Sequence, residues 1–150
     1  MGAKNYKAFT WDEIGAAANL PIVNSPINKV ESLAASADDF VSYYARALQG
    51  QFFHNQETLY EFRRILSMGD AIWLVPLPLG VRAFVKGGSI DVPGFHALCV
   101  PGAMLFDDRW VYFCLTINWY AAAETDPKTA GAFAAACSRA LALVKDALSA

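Results

Sequence analysis

A short run of lysine, glycine and serine in the middle of the chain carries residue types that could support chemistry on an anionic or carbonyl group. Lys86 is followed by Gly87, Gly88 and Ser89. A fixed ammonium group favours an anionic ligand and stabilises negative charge that develops during a reaction. Glycine lets a ligand approach the backbone closely because it has no Cβ. The run is therefore a candidate site, although a solvated lysine at the end of a strand would look the same.

Other kinds of site find little support in the sequence. Cys99, Cys114 and Cys137 are far apart, show no metal-ligand spacing and are odd in number, so three buried, inert thiols are expected. The net charge is −2 and there is no basic run, which argues against nucleic acid as the main ligand. No metal and no organic cofactor is predicted.

The elements that position the Lys86 run begin with two amphipathic helices. The first is predicted to follow Ser36 and to end at Gly50, and the second to start at Thr58 and to end at Gly69. Ser or Thr with an acidic residue three positions later is typical of a helix start, and glycine of a helix end.

The middle of the chain is typical of strands. Alternating residues predict strands over Gly80–Val85 and Phe95–Val100, with a turn at Pro101-Gly102. Asp107-Asp108 is predicted to be a hairpin tip. The segment Trp110–Asn118 is rich in β-branched and aromatic residues, which predicts a strand buried on both faces.

A long C-terminal helix is predicted to begin with Asp126 as its cap and Pro127 in its first turn. The fold class predicted from this order is α/β, in the α+β sense, with three antiparallel strands flanked by helices. Residues 1–150 are expected to form a single domain, in which residues 1–33 are an irregular arm.

Two groups of residues are expected to be structural or solvated. Arg63 and Arg64 fall on the polar side of the second helix. Trp110, Tyr112 and Phe113 are expected in the core or on the faces of the sheet rather than around a ligand.

Three stretches in this order resemble a known family. Pro76–Gly94 resembles the third conserved motif of serine β-lactamases and penicillin-binding proteins, where a strand carries Lys, then Thr or Ser, then Gly. Ser36–Gly50 resembles a helix of the family that starts with Ser or Thr and an acidic residue, and Thr58–Leu66 resembles the next helix. The resemblance implies a partial β-lactamase/transpeptidase-like fold over roughly residues 20–150.

The resemblance also implies roles for individual residues. Lys86 would supply positive charge beside the nucleophile, and the backbone N–H of Ser89 would be one oxyanion donor, which makes these two the catalytic candidates. Gly87, Gly88 and His96 would bind substrate. Gly87 departs from the family, which usually has Thr or Ser at that position. A strand histidine that only packs and forms hydrogen bonds is the alternative interpretation of His96.

The nucleophile motif of the family is missing from the chain. The family needs Ser-x-x-Lys and Ser-x-Asn or Tyr-x-Asn, but Ser25 precedes Lys29 by one residue too many and no other pair fits. The chain is therefore expected to be the C-terminal part of a β-lactamase-related serine hydrolase. It would be truncated or split, inactive alone, and completed by a missing N-terminal half. The implied reaction is acyl-enzyme hydrolysis of a β-lactam or a related amide or ester.

A second hypothesis is a non-catalytic binding or structural module with the same partial fold, and a third is a chain that folds poorly alone. No segment is long and apolar enough to span a membrane. No apolar signal core follows Met1, although members of the family are usually exported.

Overall fold

The computed structural model describes residues 22–24, 31–33, 35–69, 71–74 and 77–150. The chain divides into two compact units, Met1–Ser36 and Ala37–Ala150. In the first unit, strand β1 (Ile22–Asn24) pairs antiparallel with strand β2 (Glu31–Leu33). The arm that was expected to be irregular therefore contains a short ladder. Ser25, Lys29 and Pro76, which entered the family resemblance, lie outside the described residues.

The first helix of the second unit, α1 (Ala37–Leu48), lies where it was predicted. Acidic residues occupy its first turn and Arg46 its last, as the helix dipole favours. Gly50 then adopts a φ of 84°, a left-handed conformation that favours glycine at helix ends.

The second helix, α2 (Gln56–Ser67), begins earlier than the sequence pattern predicted. Asn55 is its cap, and the Asn55 side chain accepts a hydrogen bond from the backbone N–H of Thr58 at 2.8 Å. The predicted start at Thr58 was wrong because the Asn55 amide oxygen takes the capping position first. A one-turn helix, α3 (Ala71–Leu74), follows.

An antiparallel sheet of four strands follows among the described residues: β3 (Arg82–Val85), β4 (Gly88–Val92), β5 (Phe95–Phe106) and β6 (Arg109–Trp119). Strand β5 is central and pairs with β6 along one side. Strands β3 and β4 follow one another along its other side in a single register. Helices flank this sheet, so the α+β fold class is confirmed, with one strand more than predicted.

Strand β5 runs straight through Pro101 and Gly102, so the turn predicted there was wrong. Pro101 accepts a hydrogen bond from the N–H of Lys86 at 3.1 Å but has no N–H to return, and the strand assignment is interrupted there, between β3 and β4. A Cβ on Gly102 would collide with the carbonyl oxygen of Phe84, so glycine is what lets β3 pack this closely. The predicted tip at Asp107-Asp108 is confirmed, with φ of 46° and 57°.

The Lys86–Pro101 hydrogen bond also fixes the direction of every backbone group in the sheet. Residues of an antiparallel strand point their N–H and C=O groups alternately to one neighbour and the other. Odd-numbered residues of β5 therefore face β3 and β4, and even-numbered residues face β6. The observed register then turns the backbone groups of even-numbered β6 residues, and of Ser89 and Asp91 in β4, away from the sheet.

Two apolar clusters cover opposite faces of the sheet. Helix α4 (Pro127–Ser149), capped by Asp126 as predicted, buries Cys137 and Leu141 against one face together with Val85, Val100, Met104, Phe106 and Phe113. Helices α1 and α2 cover the other face with Tyr44, Leu48, Leu66, Phe84 and Ala103.

Strand β6 is less buried than predicted. Among its residues Phe113 is buried, whereas Thr116 and Asn118 are exposed. The reason is that β6 lies at an edge of the described sheet, where burial on both faces is incomplete. No helix in the described part of the chain is both long and apolar enough to cross a membrane.

Candidate functional site

The Lys86–Ser89 run lies on the outer edge of the sheet, where β3 passes into β4. Lys86, Gly88 and Ser89 are exposed, and the Lys86 ammonium group donates a hydrogen bond to the carbonyl oxygen of Gly87. The register turns the N–H of Ser89 outward, so this group is available to a ligand. The side chains of Lys86 and Ser89 point to opposite faces, because they are three positions apart on a regularly paired strand.

The structure does not bring His96 together with this run. His96 pairs with Asp91, which is five positions beyond Lys86 on the same edge. At about 3.4 Å per residue, the backbones of Lys86 and His96 are therefore separated by roughly 17 Å along the strand. The five candidate residues consequently do not form one site.

His96 is completely buried, with 0% of its surface exposed. Its Nδ1 lies 3.0 Å from Asp91 Oδ1, and its Nε2 lies 3.1 Å from the carbonyl oxygen of Ala123. The ring stacks on Trp119 with a centroid separation of 5.1 Å. Trp119 Nε1 in turn donates to Asp126, the cap of α4, at 3.1 Å.

Through these contacts, His96 links Asp91 on β4 to the Ala123 carbonyl group. A carboxylate and a carbonyl both accept hydrogen bonds, so the ring satisfies both only when each nitrogen carries a proton. The hydrogen bond with Asp91, aided by the carbonyl groups of Ala123 and Ala121, raises the pKa of His96 above its ordinary 6.5, although burial opposes this. The imidazolium joins the edge strand β4 to the segment that leads into α4.

A cleft of about 800 Å³ lies elsewhere, between α2 and the β3 end of the sheet. Arginine and aromatic side chains dominate its lining, and the remaining positions are small or aliphatic. The described lining residues are Tyr60, Arg63, Arg64, Ser67, Ile72, Val81, Arg82, Ala83, Phe84, Leu105 and Trp110. No Asp or Glu is among them, so the lining itself carries only positive charge.

The three arginines of the cleft differ in the number of contacts that their guanidinium groups already make. Arg63 donates to the carbonyl oxygen of Leu48 and lies 5.4 Å from the Trp110 ring centroid. Arg64 pairs with Glu61 outside the cleft, and its hydrogen bond lowers the pKa of that carboxyl. Arg82 is exposed and has no side-chain partner among the described residues. Arg82 is therefore the guanidinium most available to a ligand.

Flat apolar surfaces stand beside these guanidinium groups. The rings of Phe84 and Trp110 lie 5.2 Å apart, and Trp110 also stacks on Tyr112. Tyr60 projects from α2 with 62% of its surface exposed. Guanidinium groups beside aromatic faces bind planar anions well, because charge and ring contacts can form together.

Comparisons with protein-family models, with curated proteins and with solved structures each find no match for this chain.

The described wall of the cleft offers arginine side chains and aromatic rings to a ligand. The Ser67 hydroxyl donates a hydrogen bond to the carbonyl oxygen of Arg64 at 2.7 Å. Among the described lining residues, no histidine or carboxylate could act as a base for this hydroxyl. In the described residues, no group of three or more His, Cys, Asp or Glu side chains could hold a metal ion.

Sequence reasoning missed this cleft. Arg63, expected to be solvated, is partly buried, whereas Arg64 is exposed as expected. Trp110 packs on the sheet as expected and also lines the cleft. The available signal was the spacing of arginines on α2 and β3, but their meeting depends on how the helix crosses the sheet.

The cysteines differ in part from the expectation of three buried thiols. Cys137 is buried, but Cys99 and Cys114 are only partly so, and their sulfur atoms lie 3.8 Å apart. Burial, with Cys99 nearby, raises the pKa of Cys114 to about 12. A thiol with this pKa is almost entirely protonated at neutral pH, so Cys114 is a poor nucleophile.

Proposed function

We propose that this chain is a non-catalytic binding module whose cleft between α2 and β3 holds an anionic ligand with a flat apolar group. The observation that carries the proposal is the lining of the cleft: three guanidinium groups beside aromatic faces, with no carboxylate among the described lining residues. The net charge of the chain is −2, so this local excess of positive charge opposes the balance of the whole molecule.

Each part of the cleft contributes one feature of recognition. Arg82, which has no side-chain partner among the described residues, can form two parallel hydrogen bonds with a carboxylate or phosphate. Arg63 is held by the Leu48 carbonyl and by Trp110, so little side-chain entropy is lost when it meets the anion. Trp110 and Tyr60 offer ring faces to the apolar part of the ligand.

Titration with 2-naphthoate and with its neutral analogue 2-naphthylmethanol, followed by calorimetry, tests this proposal. We expect the carboxylate to bind and the alcohol to bind much more weakly, with the affinity for the carboxylate falling as salt is added. Arg82→Gln should weaken 2-naphthoate binding by roughly tenfold or more, since a hydrogen bond to a charged group contributes about 1.5–3 kcal/mol.

Arg139→Gln is the matched control, because Arg139 is also exposed but lies on α4 and does not line the cleft. Its affinity for 2-naphthoate should equal that of the unmodified chain. Equal affinity for the acid and the alcohol would overturn the proposal, and so would an Arg82→Gln variant that binds as tightly as the unmodified chain.

A β-lactamase-type hydrolase, completed by an N-terminal half, stays a prediction. One observation favours it: the outward N–H of Ser89 on a sheet edge, which suits an oxyanion donor. The distance from Lys86 to His96 gives it less support than the cleft gives to binding. Labelling of the folded chain with a fluorescent penicillin, analysed by intact mass, tests it: no adduct is expected from this chain alone, and an adduct on a serine would reveal a nucleophile within the chain and overturn the prediction of a truncated hydrolase.

A further inference from the structure

The two edges of the described sheet are protected to very different degrees. On the edge formed by β3 and β4, the ammonium group of Lys86 covers the carbonyl of Gly87. The backbone of Gly69 lies so close to the carbonyl oxygen of Val85 that a Cβ there would collide with it. Asp91 adds a charge, and Pro93 follows the strand at once. Charges, proline and covering segments are the usual means by which proteins prevent a sheet edge from pairing further.

Among the described residues, none of these protections is found on strand β6 between Trp110 and Trp119. The stretch contains no charged residue, no proline and no glycine. Its outward-facing backbone groups belong to alternate residues, and no strand among the described residues pairs with them. These residues are Trp110, Tyr112, Cys114, Thr116 and Asn118.

We infer that β6 of one copy pairs antiparallel with β6 of a second copy, joining two four-stranded sheets into one of eight strands. An antiparallel pair of identical strands is related by a two-fold axis, so the same surface serves both partners. A strand without charge meets its own copy without like-charge repulsion. Five outward-facing residues on each strand allow up to roughly ten backbone hydrogen bonds.

This inference is independent of the cleft, since it rests on backbone groups at the β6 edge rather than on the arginines. A second copy is favoured over a different protein because the edge is neutral along its whole outward row. The β6 edge offers no charge that could select a different protein as its partner.

The test is sedimentation equilibrium of the full chain and of variants at Thr116. Thr116→Pro removes an outward N–H and leaves the hydrogen bonds between β5 and β6 in place, because proline is tolerated where the N–H faces away from the sheet. The unmodified chain should be a dimer and Thr116→Pro a monomer with an unchanged circular dichroism spectrum.

Thr116→Val is the matched control, since the Thr116 hydroxyl donates to the carbonyl oxygen of Leu98 at 3.0 Å and both variants lose that bond. Thr116→Val keeps its N–H and should remain dimeric, as should Ser89→Pro, which places proline on the protected edge. Where Thr116→Pro does not fold, Thr116→Lys replaces it, and like charges should raise the dimer dissociation constant severalfold.

A monomeric unmodified chain would overturn the inference. So would dimers of Thr116→Pro or Thr116→Lys as stable as those of the unmodified chain, which would place the interface elsewhere. A mixed complex with another protein that displaces the dimer, and is lost in Thr116→Pro, would show that the edge binds a different strand and would also overturn self-pairing.

Discussion

At the scale of single residues, His96 illustrates how a titratable group can hold a fold together. The ring is sealed from water and bridges Asp91 on β4 to the Ala123 carbonyl beyond β6. Burial of a charged ring is tolerated only because both of its protons are paired. We therefore expect the contribution of His96 to the free energy of unfolding to depend on pH.

His96→Gln should destabilise the fold most strongly at acid pH. The pKa of His96 is raised above 6.5 in the folded state, so the stabilisation is complete below that value and is lost as the pH rises through the folded pKa. Urea unfolding of both proteins between about pH 5 and about pH 9 should show a difference in unfolding free energy that narrows toward alkaline pH. His54→Gln, which replaces an exposed histidine outside this bridge, is the control. A difference that stays constant with pH would contradict the bridge.

Gly102→Ala should destabilise the sheet by at least about 1–3 kcal/mol, because the added Cβ would collide with backbone atoms of β3 and overpacking of this kind cannot relax without strain. Gly88→Ala is the control, since a Cβ at Gly88 meets nothing within 4 Å. Chemical denaturation of the two variants should separate them clearly, and equal stabilities would show that β3 yields to the extra methyl group.

Residue types predicted the cap at Asp126, but they predicted neither the role of Gly102 nor the partner of His96. Asp126 was identified as a cap because capping is local in sequence. Gly102 was assigned to a turn, since Pro-Gly usually forms one and the close approach of β3 cannot be detected from neighbouring residues. The partnership of Asp91 with His96 depends on strand register, which composition alone does not fix.

At the scale of elements, caps decide where the helices begin. The amide oxygen of Asn55 satisfies the Thr58 N–H and also lies 2.9 Å from the Thr58 hydroxyl. This contact fixes the start of α2 and thereby the position of the arginines that line the cleft.

Asn55→Ala should lower the free energy of unfolding by about 0.5–2 kcal/mol, the usual effect of removing a cap. Gln56→Ala, one residue later and exposed, should change it little. The comparison is made by urea unfolding monitored by circular dichroism. A larger loss for Gln56→Ala than for Asn55→Ala would mean that the helix does not depend on this cap.

The long helices and β6 were predicted within a few residues at their ends, whereas β5 was predicted to end at Val100 and continues to Phe106. Strand β4 was missed, because its five exposed residues give no apolar alternation. The cleft was also beyond prediction, since Arg63 and Arg82 come from different elements that meet only after packing.

At the scale of the whole molecule, the sheet separates two apolar clusters, one under α4 and the other under α1 and α2. Met104 is fully buried in the first cluster. The sequence predicted this layered arrangement, because each helix carries one apolar stripe that requires a sheet face to cover it. The pairing of each helix with its face follows from packing rather than from local pattern.

Met104→Ala should lower the free energy of unfolding by about 2–5 kcal/mol through lost burial and the cavity left behind. Leu79→Ala is the comparison, because Leu79 is 92% exposed and its removal should be nearly neutral. Thermal and urea unfolding of both variants measure the difference. Similar losses at the two positions would argue against α4 packing on this face.

The tight turns of the sheet have a consequence for the order of folding. Strands β4 and β5 are joined by Pro93-Gly94, and β5 and β6 by Asp107-Asp108, so each of these two pairs is formed by strands that are neighbours in the chain. Hairpins of this kind close within about 1–10 μs, long before distant segments meet. The sheet face that carries Val100 and Met104 is covered only when α4 docks, and α4 is the last of these elements to be synthesised. Until that helix docks, a nascent chain displays an assembled but uncovered apolar sheet.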